Sequence, residues 1–161
     1  MSGIIGSVGS KSGVIGTTEI EYEEGTVTVT FGATGGGSIT LNSSANLVRY
    51  TRIGNMCHVS GRVSVSAVSG DQTGTVNVSL LPFVSYAGAE EDGYVYSAVM
   101  SNFNMSASNN APMFAGYSGD NTVVRIYESE DNTTPDDINA ADVAVLDFFN
   151  FNITYKIKTG Q

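Results

Sequence analysis

The chain has 161 residues and a formal net charge of −9 at pH 7, from 7 Lys and Arg against 16 Asp and Glu. This length suits one domain with its own hydrophobic core, and the acidic balance argues against nucleic acid as a partner, because binding phosphates requires clustered basic side chains. The 18 Val and 10 Ile far outnumber the 5 Leu, and this excess of β-branched residues favours strands over helices.

The first 18 residues differ from the rest of the chain. Glycines at positions 3, 6, 9, 13 and 16 separate a small set of larger side chains, namely Ile4, Ile5, Val8, Lys11, Val14 and Ile15. The segment has too few apolar residues to form a core, so two interpretations stay open. One is a flexible tail, and the other is an extended arm that becomes ordered against another subunit or another protein. The apolar side chains favour the arm, since a pure linker would consist of Gly and Ser.

From residue 19 the chain alternates apolar and polar side chains in short stretches, as strands with one buried face do. The first predicted strand carries three inward side chains, Val27, Val29 and Phe31. The glycines at 35–37 end it, and a short strand resumes at 38–41. The next predicted strand covers 47–53 and ends at a turn at Gly54-Asn55.

The longest alternation lies between residues 58 and 67. It predicts a strand that points four side chains to the core, Val59, Val63, Val65 and Ala67. A turn is predicted at Gly70-Asp71, and the following strand is predicted to bury Val76, Val78 and Leu80. Pro82 ends that strand, because proline cannot donate to a ladder of hydrogen bonds.

The second half of the body repeats this organisation. Short strands are predicted at 94–99, 103–105, 112–117 and 123–127, and residues 128–142 are predicted to form an acidic loop with one helical turn around 138–141. The final predicted strand points five side chains inward, Phe149, Phe151, Ile153, Tyr155 and Ile157. The sequence therefore predicts an all-β domain over residues 19–161, an antiparallel β-sandwich of jelly-roll type with an extended N-terminal arm over residues 1–18.

Few residues suit catalysis or metal binding. Cys57 and His58 are adjacent in a predicted strand, so they point to opposite faces and cannot form a nucleophile–base pair; we expect a buried cysteine and an exposed histidine. The glycine-rich start does not match the phosphate-binding loop pattern, because Ile5 and Ser10 stand where glycines are needed. We therefore expect no enzyme, no metal and no cofactor. The acidic loop leaves calcium binding open, although it lacks the EF-hand pattern.

Several tyrosines could contact sugars. Three of them, Tyr94, Tyr96 and Tyr117, are candidates for a platform on which a glycan ring stacks. Most tyrosines of this chain are expected to lie in the core or in an interface between subunits instead.

Four stretches resemble a known family. The run from Tyr50 to Gly61, YTRIGNMCHVSG, is similar to a signature of tail-fibre and virion-surface domains of tailed bacteriophages. Leu81-Pro82-Phe83 and Ile153-Thr154-Tyr155 resemble a motif and the closing strand of the same proteins. The stretch from Gly9 to Gly16 resembles the attachment arm of small phage structural proteins. Val27 and Val29 depart from the pattern, which often has Trp and Pro there.

The resemblance implies a homotrimer of jelly-roll-like sandwiches on the virion surface, either a tail fibre or a capsid-decoration protein. The arm, through the six side chains named above, would attach the domain to another virion protein of the capsid or tail. At the tip of a fibre the loops would bind a host glycan, whereas a capsid decoration would clamp neighbouring subunits. No nucleic-acid partner and no insertion into a membrane are expected. The alternative is a free carbohydrate-binding β-sandwich module.

Overall fold

The computed structural model describes residues 21–86, 97–102, 113–116, 121–128 and 136–158. These residues are nearly all antiparallel β-structure, with one 3₁₀ turn at Ala140–Asp142, so the predicted all-β class is confirmed. The strands in chain order are β1 (Tyr22–Thr28), β2 (Thr30–Ala33), β3 (Gly36–Leu41), β4 (Leu47–Ile53), β5 (Met56–Thr73), β6 (Val76–Ser79), β7 (Ser97–Asn102), β8 (Met113–Gly116), β9 (Val123–Glu128), β10 (Asp136–Asp137) and β11 (Phe148–Lys156).

The 18-residue strand β5 organises the sheet. Its first half pairs with β4 on one side and β11 on the other, and its second half pairs with β3. From β5 the order of paired strands is β11, β7, β8, β9, β6, β2 and β3. Strand β3 pairs in turn with β5, and β10 pairs with β9 outside this order. These strands form a closed ring of pairings. Strands β4 and β1 extend from β5 outside the ring, and we call this pair the wing.

The core lies between the walls of the ring. Phe31 of β2 and Phe149 of β11 meet edge to face with ring centroids 5.0 Å apart, although their strands are not paired. The contact therefore joins opposite walls of the ring. All five side chains predicted to point inward from the last strand are buried, Phe149, Phe151, Ile153, Tyr155 and Ile157.

The first predicted strand is two strands. Val29 lies between β1 and β2, and its N–H donates to the carbonyl of Asn46 at 2.7 Å. Before Val29 the chain pairs with β4, and after it the chain pairs with β6 and β3. The prediction of one strand was wrong because the inward alternation of Val27, Val29 and Phe31 continues through the change of partners.

Two predictions for the middle of β5 were also wrong. Ala67 is exposed, because Thr40 pairs with Ala67 while Leu41 pairs with Val65, and the extra residue between them shifts the alternation by one. The predicted turn at Gly70-Asp71 is a second irregularity within β5, which continues to Thr73.

Other details agree with the sequence. Strand β4 has the predicted bounds, Cys57 is buried and His58 is exposed. The helical turn of the acidic region is the 3₁₀ turn, one to two residues later than expected, with Asn139 as its N-cap. Within the described ranges, no helix is long and apolar enough to cross a bilayer.

Candidate functional site

The wing presents different residues on its two faces. Side chains alternate along each strand, and the buried Val48 marks the face toward the body. Its neighbours Tyr50 and Arg52 share that inner face, together with Glu23 and Gly25 of the paired strand. The outer face carries the intervening residues, Tyr22, Glu24, Thr26, Arg49, Thr51 and Ile53.

Arg52 anchors the inner face of the wing. Its Nη2 donates to Glu21 Oε2 at 2.6 Å, its Nη1 lies 3.9 Å from Glu23 Oε2, and its Nε donates to the carbonyl of Gly54 at 2.9 Å. The guanidinium carbon lies 5.0 Å from the ring centroid of Phe83. One side chain therefore ties β1, the turn after β4 and the 81–83 segment together.

Tyr50 makes the second set of inner contacts. Its hydroxyl donates to Glu23 Oε1 at 2.7 Å, and this hydrogen bond, followed by burial, raises the pKa of the phenol. Its ring meets that of Phe83 edge to face at 5.5 Å. The ring also covers Gly25, where a Cβ would lie 2.8 Å from the tyrosine Cε1. Glycine is therefore required at this position for the ring to lie flat on the strand.

Tyr155 fixes Phe83 from the other side. Its hydroxyl donates to the carbonyl of Phe83 at 3.0 Å and accepts from the Phe83 N–H at 3.1 Å. As a result, the three stretches of the body that carry most of the family resemblance meet in one place, through Tyr50, Arg52, Phe83 and Tyr155. This contact was not predicted from the sequence, although the motifs that contain these aromatic and arginine residues were identified there.

A cleft of about 270 Å³ opens on the wing, lined by Glu24, Gly25, Thr26, Arg49, Tyr50 and Thr51. Tyr22 is not among the lining residues, but it lies on the outer face two residues before Glu24, which lines the cleft, and 64% of its surface is exposed. The Tyr22 hydroxyl donates to Glu24 Oε2 at 2.8 Å, and this hydrogen bond raises the pKa of the phenol. The bond fixes the direction of an exposed aromatic ring beside the cleft.

Arg49 forms the other wall of the cleft. Glu24 pairs with Thr51 and Thr26 pairs with Arg49, so the carboxylate and the guanidinium lie diagonally across neighbouring strands. Arg49 is exposed, and the described part of the chain offers it no hydrogen bond or ion pair. The cleft therefore combines a donor, an acceptor and a ring face, which suits binding of a small polar molecule.

The six arm residues and the candidate stacking residues Tyr94, Tyr96 and Tyr117 are outside the described ranges, as is most of the acidic loop. Among the residues that are described, no group of three or more His, Cys, Asp or Glu side chains could hold a metal ion. Tyr22 was missed because it lies within an acidic run and carries no motif.

Comparisons with known proteins agree with the fold. No family model matches the chain, and no curated protein matches it. The crystal structure of the Dettilon tailspike protein is similar to this chain, with a TM-score of 0.60 and 20% sequence identity. The match covers 84% of this chain and 24% of the tailspike chain, so this chain corresponds to about a quarter of that protein's length. At this identity the likeness concerns the fold.

Proposed function

We propose that this chain is a non-enzymatic structural protein of a tailed-phage virion, displayed on the virion surface as a homotrimer. The observation that carries the proposal is the fold likeness to a part of the Dettilon tailspike protein over most of the chain. The cluster of Tyr50, Arg52, Phe83 and Tyr155 adds support, because the stretches that resemble phage fibre domains are the ones that pack together.

The proposal assigns different tasks to the two parts of the chain. Residues 1–18 attach the domain to another capsid or tail protein, through Ile4, Ile5, Val8, Lys11, Val14 and Ile15. The body carries the exposed surface and contacts the host. Three copies on one particle raise the effective concentration of each contact, so weak individual contacts together hold firmly.

The oligomeric state is tested by light scattering on the full-length protein. We expect a mass about three times the 16.8 kDa of one chain. A monomer across the micromolar range would contradict the trimer.

The arm is tested by removing residues 2–18 and measuring binding to assembled particles that lack this protein. We expect the truncated body to keep its strand content by circular dichroism and to lose particle binding. A matched variant, with serine at the four isoleucine and valine positions 4, 5, 14 and 15, should lose binding too. Normal binding by the truncated protein would overturn the assignment.

A second candidate is a free carbohydrate-binding module. The specific observation in its favour is the cleft of the wing, which is lined by a carboxylate and a guanidinium and lies next to the exposed ring of Tyr22. A monomer that binds glycans and does not bind particles would favour this function over the virion role.

A further inference from the structure

We infer that the outer cleft of the wing binds one ring of a neutral saccharide, with Tyr22 as the stacking surface and Glu24 and Arg49 as the polar contacts. The inference deepens the proposed function, since it names the class of ligand that a surface-displayed body would meet. It concerns residues other than the three tyrosines expected from the sequence.

The ring of Tyr22 has the properties of a stacking surface. It is 64% exposed, and its orientation is held by the 2.8 Å hydrogen bond to Glu24. An aromatic face packs well against the C–H groups on one side of a sugar ring, and the hydroxyl groups at the sugar's edge stay free for polar partners. A ring fixed in advance loses little conformational entropy when the ligand binds.

Glu24 and Arg49 match those hydroxyl groups. A carboxylate accepts several hydrogen bonds, and the Tyr22 hydroxyl takes only one of them. The guanidinium of Arg49 offers five donors, with no partner in the described part of the chain. Neighbouring hydroxyl groups on a sugar both donate and accept, so they suit a carboxylate and a guanidinium at diagonal positions on neighbouring strands.

The inner face keeps this arrangement rigid. Tyr50 and Arg52, which alternate with Arg49 and Thr51 along β4, are held by Glu23, Glu21 and Phe83. The backbone beneath the cleft is therefore fixed by contacts that the ligand does not touch, which favours binding without rearrangement.

Charge and size select the ligand class. Glu23 and Glu24 lie on the edge strand β1 and Glu21 directly precedes it. The whole chain carries a net charge of −9, so an anionic ligand is repelled. The cleft, at about 270 Å³, is smaller than the roughly 300–1,000 Å³ typical of sites for drug-sized molecules. One uncharged sugar ring fits these limits, with an affinity on the order of millimolar for a single site.

The test uses the full-length protein and methyl glycosides of glucose, galactose, mannose, N-acetylglucosamine and N-acetylgalactosamine. Amide chemical shifts locate the site, and titration gives the dissociation constant.

We expect at least one glycoside to shift the amide signals of residues 22–26 and 49–51. Tyr22→Ala and Arg49→Ala should each weaken binding at least fivefold. Tyr22→Phe keeps the ring but loses the hydrogen bond that orients it, so it should weaken binding less than Tyr22→Ala does. Arg62→Ala is the matched control, an exposed arginine of β5 that lies over the ring of Phe148, and should change binding less than twofold.

Several outcomes would overturn the inference. If no glycoside shifts the amide signals of the cleft, if the shifts centre on Tyr94, Tyr96 or Tyr117, or if Arg62→Ala weakens binding equally, the cleft is not the site.

Light scattering on the same samples separates this inference from the proposed function. If Tyr22→Ala dissociates a trimer, the outer face is a contact between subunits and the saccharide site is wrong, while the trimer stands. If the protein is a monomer that binds a glycoside at the cleft, the inference holds and the proposed trimer fails.

Discussion

The guanidinium of Arg52 lies 5.0 Å from the ring centroid of Phe83, so a charged side chain on the inner face of the wing packs against an aromatic residue of the body. Only 12% of the Arg52 side chain is exposed, whereas its ion-pair partner Glu21 is 70% exposed. An ion pair with one exposed partner contributes little to the stability of the fold. The guanidinium reaches both the ring of Phe83 and the carbonyl of Gly54. Its geometry therefore contributes more to stability than its charge does.

Replacing Arg52 tests that conclusion. We expect Arg52→Ala to lower the free energy of unfolding by about 1–3 kcal/mol, since it removes a charged hydrogen bond and a cation–π contact. Arg52→Lys keeps the positive charge but lacks the planar guanidinium with its several donors. It should therefore lose most of the stability that Arg52→Ala loses. Arg49→Ala on the outer face is the control, with an expected change within about 0.5 kcal/mol. Urea denaturation measures all three, and a lysine variant as stable as the wild type would show that charge alone matters.

Gly61 should tolerate no side chain. A Cβ there would lie 2.9 Å from both Cα and Cγ1 of Val48, its direct partner on β4. We expect Gly61→Ala to destabilise the protein by about 1–3 kcal/mol through overpacking. Gly32 of β2 is the matched control, because the nearest atom to its Cβ would be 4.0 Å away. Gly32→Ala should be neutral or stabilise by up to about 1 kcal/mol. Equal effects of the two changes in thermal unfolding would contradict this account.

The thiol of Cys57 should be unreactive in the folded protein. Cys57 has no exposed surface, and burial raises the pKa of its thiol. We expect a disulfide reagent such as DTNB to label it at pH 8 only as fast as the surrounding core opens, and fully in denaturant. Raising the pH to 9 should not restore the rate of a free thiol, because access limits the reaction. Labelling at the free-thiol rate would show that the core does not protect this residue.

Leu146 is held in a left-handed backbone conformation, with φ of 77°. Its side chain is 79% exposed, so it gains little from burial, while the conformation costs about 1–2 kcal/mol for a residue with a Cβ. We expect Leu146→Gly to leave stability unchanged or raise it by up to about 1 kcal/mol. Val145→Gly, at the adjacent exposed position, should lower stability by about 0.5–1 kcal/mol. If the two glycine variants behave alike in calorimetry, backbone strain at Leu146 is not the cause.

Asp147 should make stability depend on pH. Burial raises the pKa of its carboxyl group above the ordinary value, and the hydrogen bond from the Ala144 N–H opposes the shift. The folded state therefore binds the proton more tightly than the unfolded state does, so the group's destabilising effect is fully present above its folded-state pKa and disappears as the pH falls below its unfolded-state pKa.

Asp147→Asn removes this titration and can keep the hydrogen bond through its amide oxygen. We expect the asparagine variant to be more stable than the wild type at pH 7, with the difference closing as the pH falls toward about 3. Denaturation curves at pH 7, 5, 4 and 3 measure it. A difference that stays constant with pH would show that the carboxyl group does not titrate between the two states.

The sequence predicted those parts of the fold in which alternation and pairing agree. The inward residues of β11 were all correct, because the strand has no irregularity and alternates through its whole length. The shift near Ala67 could not be predicted, since one extra residue changes which face each later side chain occupies without changing composition. The division of the first strand at Val29 could not be predicted either. There the pairing partner changes while the alternation of apolar and polar residues continues.

The candidate site was less accessible to sequence reasoning. An arginine in a strand is expected on the solvent face, and a tyrosine can lie on either face. Arg52 and Tyr50 both point toward the body because Phe83 and Glu23 lie there to receive them. Those partners are 27 to 33 residues away in the chain, and only the three-dimensional pairing brings them together. The exposed ring of Tyr22 has no local signal at all.

The position of β11 has a consequence for how the chain reaches this structure. Residues 148–156 lie between β5 and β7, and their partners on β5 are some 90 residues earlier. Such distant pairings make folding slow, and the opposite wall contributed by Phe149 is missing until this strand is in place. A nascent chain therefore keeps the inner face of β5 open to solvent or to chaperones until residues 148–156 have been synthesised. Closure of the ring then depends on a strand that is made some 90 residues after β5.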